Sequence, residues 1–107
     1  MRKKTFTRAL MLAIGVSFAG SGLAAGDAAA GKWKVLSCLG CHGIPSYTNA
    51  YPTYNVPKLG GQHAKYLVSA LQAYQNGQRN HPTMRAQASS LNDQDMQDIA
   101  AFFENEK

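Results

Sequence analysis

The stretch that most constrains this 107-residue chain is SCLGCHG, residues 37–43. It holds the only two cysteines, Cys38 and Cys41, and puts His42 directly after the second. Cysteines separated by two residues can form a redox dithiol, supply half of a zinc site or carry a covalent cofactor. A thioredoxin-like dithiol belongs among strands and crossover helices, and no segment here sustains the apolar–polar alternation of a strand. A structural zinc site needs about four ligands. The chain has no second cysteine pair, and His63 and His81 are 18 positions apart.

The N-terminus bears on the choice. MRKKTFTR carries Arg2, Lys3, Lys4 and Arg8, an apolar stretch ALMLAIGVSFAG follows, and SGLAAG supplies small residues. A basic head, apolar middle and small-residue exit read as a secretory signal peptide over residues 1–24, cleaved near Ala24 or Ala25. Gly15, Ser17 and Gly20 interrupt the apolar run, which falls short of the roughly 20 residues of a spanning anchor. Removing the leader leaves 83 residues with 7 basic and 6 acidic side chains, a net of +1. The basic balance is therefore mostly an address, and no lysine–arginine cluster remains to bind nucleic acid. A chain this small needs a staple, and a bridge between Cys38 and Cys41 would close too short a loop to serve as one.

Three stretches read as helix. DAAAGKWKVLSC starts with Asp27 as N-cap. HAKYLVSALQAYQNG repeats Leu67, Ala70, Leu71 and Tyr74 at helical spacing and stops at Gly77. NDQDMQDIAAFFENE is capped by Asn92, carries Asp93 and Asp95 at its positive end, and shows an apolar stripe of Met96, Ile99, Ala100 and Phe103. Between them lie two long connections, Gly43–Gln62 and Gln78–Leu91. Loops of that length are uncommon unless functional, so an all-α chain of three main helices with long loops wrapped around an object is expected.

The reading that uses His42 supplies the object. C-x-x-C-H is the attachment signature of c-type haem: two thiols add to the haem vinyl groups as thioethers, and the next residue gives the iron its proximal imidazole. Attachment after export agrees with the leader. For the second axial position, Met1 and Met11 leave with the leader and Met96 belongs to a helix stripe. Met84, in NHPTMRAQ, is the candidate, with His81 as competitor. His63, opening the second helix, reads as a capping or surface residue.

These segments together resemble the small soluble bacterial class I c-type cytochromes, including single halves of the dihaem periplasmic members. GDAAAGKWKVLSCLGCHG is similar to their first helix and haem motif, VPKLGGQHAKYLVSALQAYQNGQR to their proline loop and next helix, and NHPTMRAQASSLNDQDMQDIAAFF to their methionine loop and closing helix. The resemblance implies one haem c domain over residues 25–107, with Cys38 and Cys41 as thioether residues, His42 and Met84 as iron ligands, and the Pro57 carbonyl on the free nitrogen of His42. It also implies that Gly31 allows close crossing of the first and last helices, with Phe102 against it. The departure is Ile44–Val56, where Tyr47, Tyr51 and Tyr54 are expected to pack over a haem edge.

The function expected from the resemblance is one-electron transport in the periplasm, without catalysis and without membrane insertion after leader cleavage. Its partners would be redox donors and acceptors such as a dehydrogenase, oxidase or reductase. The alternatives are a haem sensor, whose distal position opens to a small ligand, and an electron-transfer subunit of a periplasmic dehydrogenase complex. The net of +1 leads to an expectation of weak electrostatic steering.

Overall fold

In the computed structural model the described residues are 25–107, so the leader read at residues 1–24 lies outside them. The element order is α1 (Ala28–Lys34), α2 (Leu36–His42), β1 (Thr48–Ala50), β2 (Thr53–Asn55), α3 (Ala64–Gln75), α4 (Pro82–Ser89) and α5 (Asp93–Asn105). Among the described residues, no helix is long and apolar enough to cross a membrane.

The three expected helices are present, each with the end signals read from the sequence. The Asp27 side chain accepts from the Ala29 N–H and opens α1. Gly77, with φ of 83°, takes the left-handed conformation just past the C-terminus of α3, as a helix stop requires. Asn92 and Asp95 form a reciprocal capping box on α5, which satisfies two N–H groups that the helix leaves free.

Three local expectations are corrected. The first helix does not end at Cys38: it breaks at Val35, a fully buried residue, and α2 carries the chain through the whole motif to His42. The first long connection contains a two-stranded antiparallel hairpin, pairing Thr48 with Asn55, Asn49 with Tyr54 and Ala50 with Thr53. The second connection contains α4, so Met84 stands in the first turn of a helix rather than in an open loop.

The core lies where α1, α3 and α5 meet: Val35, Leu67, Val68, Met96, Ile99, Ala100 and Phe103 form one buried cluster. Gly31 sets the distance between α1 and α5. A Cβ there would overlap the Asp98 carbonyl and come within 2.9 Å of the Phe102 Cβ. Glu104, on α5, accepts from the Ala64 N–H at 3.0 Å, so the last helix also caps α3.

The α1–α5 crossing is locked by one buried carboxylate. Asp98 Oδ1 accepts from the Asp27 N–H and from Gln94 Nε2, both at 2.8 Å, and Oδ2 accepts from Lys34 Nζ at 2.6 Å. Lys34 also reaches Asp95 at 2.7 Å. The Asp27 N–H, then Lys34 and Gln94, hold the Asp98 carboxyl down to about 2, below the usual carboxylate value of about 3.9. A depressed carboxyl contributes stability that is complete above its unfolded value and is lost as pH falls through its folded one. The melting temperature should therefore drop between about pH 4 and pH 2, and the Asp98→Asn protein, melted alongside, should show a flatter acid limb.

Candidate functional site

Helix α2 places the motif. Cys38, Cys41 and His42 stand at i, i+3 and i+4, which puts all three on one side of a helix. They line a single cleft of about 360 Å³. The cysteines are not joined to each other. Burial pushes the Cys38 thiol up from its ordinary value, opposite to the lowered value that a redox dithiol needs. Among the described residues no group of three or more His, Cys, Asp or Glu side chains converges as a metal site, which leaves the zinc reading without a geometry.

His42 is held from behind. Its Nδ1 lies 2.7 Å from the Pro57 carbonyl. A carbonyl can only accept, so Nδ1 carries the proton and, in the neutral ring, Nε2 keeps the free lone pair. Pro57 comes two residues after β2, next to Val56, whose N–H donates to the Tyr47 carbonyl at 2.9 Å, so the hairpin fixes the position of the residue that orients His42.

The floor of the cleft is core: Leu67, Ile99 and Phe103 reach it from α3 and α5. Leu59, Leu71 and Leu91 line it while only partly buried. Met84 and His81 line it from the start of α4, and Tyr54 from β2. The structure thus brings Cys38, Cys41, His42, Pro57 and Met84 to one cavity. His63 stands outside it, exposed at the N-cap of α3 with no capping bond from its side chain.

His81, the competitor for the iron, is not a residue of an open connection. It is half-buried and is the N-cap of α4, with its Nδ1 accepting from the Met84 N–H at 3.4 Å. The signal was present in HPTM: Pro82 occupies the first helical position, where its missing N–H costs nothing. Tyr54 was read as one of three rings over the cofactor. It does line the cleft, but Tyr51 is 96% exposed at the hairpin tip and packs over nothing.

The donor set and shape of the cleft fit a haem. A large, flat, mostly apolar group matches apolar walls with an open side, two thiols stand at the attachment spacing, and nitrogen and thioether donors suit its iron. The comparisons agree. The family model described as Cytochrome c matches residues 24–107. The chain is 44% identical over 86 residues to cytochrome c-554(548) of Halomonas halodenitrificans, covering 78% of this chain and 100% of that protein. It is 40% identical over 98 residues to cytochrome c4 of Pseudomonas aeruginosa, covering 92% of this chain and 46% of that one. The crystal structure of reduced recombinant cytochrome c4 from Pseudomonas stutzeri superposes with a TM-score of 0.65 at 39% identity, covering 78% of this chain and 47% of that chain. The chain thus spans about half the length of the cytochrome c4 relatives it matches.

Proposed function

The chain belongs to the cytochrome c family, and on that premise we propose that it is a periplasmic one-electron carrier with one covalent haem c under His/Met ligation. Its leader would be residues 1–24 and its haem domain residues 25–107. The observation that carries the reading is the convergence on one cleft of both cysteines, the Pro57-held His42 and Met84. Cys38 and Cys41 would hold the haem through thioethers, and His42 Nε2 and Met84 Sδ would take the two axial positions. When bound, the group supplies a reversible Fe(III)/Fe(II) couple. The apolar lining keeps water out and favours the less charged state, and the Pro57 carbonyl keeps His42 in one tautomer. With His42 and Met84 both holding the iron, no position would be left for a substrate, which separates a carrier from a sensor.

The proposed partners are periplasmic redox proteins: a dehydrogenase as donor, an oxidase or reductase as acceptor. The charge distribution is more directional than a net of +1 implies. All six acidic residues beyond the leader fall at Asp27 or within 93–106. Lys58 and Arg79 line the cleft, and among the described residues none that lines it is acidic. A basic rim gives encounter a preferred direction, with the strength set by ionic strength.

Met84→Ala is expected to abolish the sulfur-to-iron charge-transfer absorption of the ferric protein, lower the reduction potential and let the ferrous protein bind carbon monoxide. Absorption spectra with and without carbon monoxide check all but the potential. If His81→Ala produces these changes and Met84→Ala does not, the axial assignment passes to His81. Tight, rapid carbon monoxide binding by the unaltered protein would favour the sensor reading.

A further inference from the structure

Helix α4 cannot hold itself in place. It has eight residues, of which only Ala88 is buried, well below the length at which a helix is stable alone. Its C-terminal end is tied to α3, because Gln75 Nε2 donates to the Ala88 carbonyl at 3.0 Å and to the Leu91 carbonyl at 2.8 Å. Its N-terminal end, which carries Met84, is held by the hairpin.

The contact is made by one side chain. The Tyr54 ring meets the His81 ring edge-on, centroids 4.7 Å apart at 83°, and its hydroxyl lies 3.4 Å from Thr83 Oγ1. Tyr74 flanks His81 from α3 at 6.4 Å, itself covered by the Arg79 guanidinium at 4.7 Å. His81 is thus set between two rings while its Nδ1 receives the Met84 N–H. Three residues beyond Tyr54, Pro57 accepts from His42. One extended strap, residues 54–57, touches both walls of the cleft.

The geometry points to Tyr54 as a positioning residue: acting through His81, it holds the first turn of α4, and with it Met84, against the cleft. This rests on the Met84 reading above. Tyr54 lines the cleft but is not one of the proposed iron ligands, and its effect is on how often the Met84 side opens. It also gives the tyrosine-bearing loop a task other than shielding a cofactor edge.

The test uses the haem-loaded mature protein in four variants: Tyr54→Ala, Tyr54→Phe, Tyr51→Ala and Met84→Ala. Each is read by the ferric charge-transfer band and by the fraction of ferrous protein that binds carbon monoxide at a fixed subsaturating concentration. Tyr54→Ala should raise that fraction roughly two- to tenfold, the range one aromatic pair's coupling allows, and weaken the band. Tyr54→Phe keeps the ring and should stay near wild type, as should Tyr51→Ala at the exposed tip. If Tyr54→Ala does not load haem, Tyr54→Leu carries the same comparison. In a double-mutant cycle, Tyr54→Leu and His81→Gln should be less than additive, because one acts through the other. Unchanged carbon monoxide binding in the Tyr54 variants, with Met84→Ala open, would overturn the positioning role and leave the Met84 ligand reading intact. A charge-transfer band that survives Met84→Ala would instead remove the ligand reading, and the positioning role with it.

Discussion

Replacing Cys38 and Cys41 together with alanine is expected to yield a chain that retains no haem on a denaturing gel and shows no sharp thermal transition. The reason is the size of the core. Among the described residues only eight apolar side chains are buried, two of them alanines, and a single core in so short a chain rarely supplies more than about 3–5 kcal/mol. Leu59, Leu71 and Leu91 line the cleft while only partly buried, and the proposed haem would complete their burial. Without attachment the contacts these side chains would make with the haem are lost, and the apolar wall of the cleft stays exposed to water. Haem staining and circular dichroism melts check the two halves of the prediction. A variant that melts as sharply and at the same temperature as wild type would mean that the cleft is not completed by a covalent group.

The second large effect is expected at Gly31. Its substitution by valine would drive a branched side chain into the Asp98 carbonyl and the Phe102 Cβ on the facing helix. Relief requires α1 and α5 to part, and with them the Asp27–Asp98–Lys34 lock. A cost of about 4 kcal/mol is in the range of severe overpacking, which in a domain this size lowers Tm by roughly 20 °C. Gly40 is the control. It lies in α2 with nothing within 4 Å of a built Cβ, so Gly40→Ala should be neutral or stabilising by up to about 1 kcal/mol. Thermal melts of the two loaded variants decide it, and equal effects at both positions would contradict the close crossing.

What could be read in the residues and what could not differ for physical reasons. Helices α3 and α5 bury a face, so their apolar residues recur at helical spacing, and the N-terminus of α5 carries its own cap. Helix α4 has no such stripe: with only Ala88 buried, PTMRAQAS owes its helicity to His81, Pro82 and the Gln75 amide, none of which periodicity registers. The hairpin strands have three residues each, with only Asn49 and Tyr54 partly buried, too short for alternation to register. The break at Val35 is a packing event, since that residue is wholly enclosed. The proposed haem site could be read because covalent attachment would demand specific atoms at a specific spacing. The contact between His81 and Tyr54 could not be, because it joins residues 27 positions apart in the chain.

The most direct test of the proposed carrier is a spectroelectrochemical titration of the mature wild-type protein. The expected result is a single one-electron transition of a low-spin c-type haem, with a sulfur-to-iron charge-transfer band in the oxidised form that disappears on reduction. Absence of that band, a high-spin ferrous spectrum or more than one transition would contradict a single haem held by His42 and Met84.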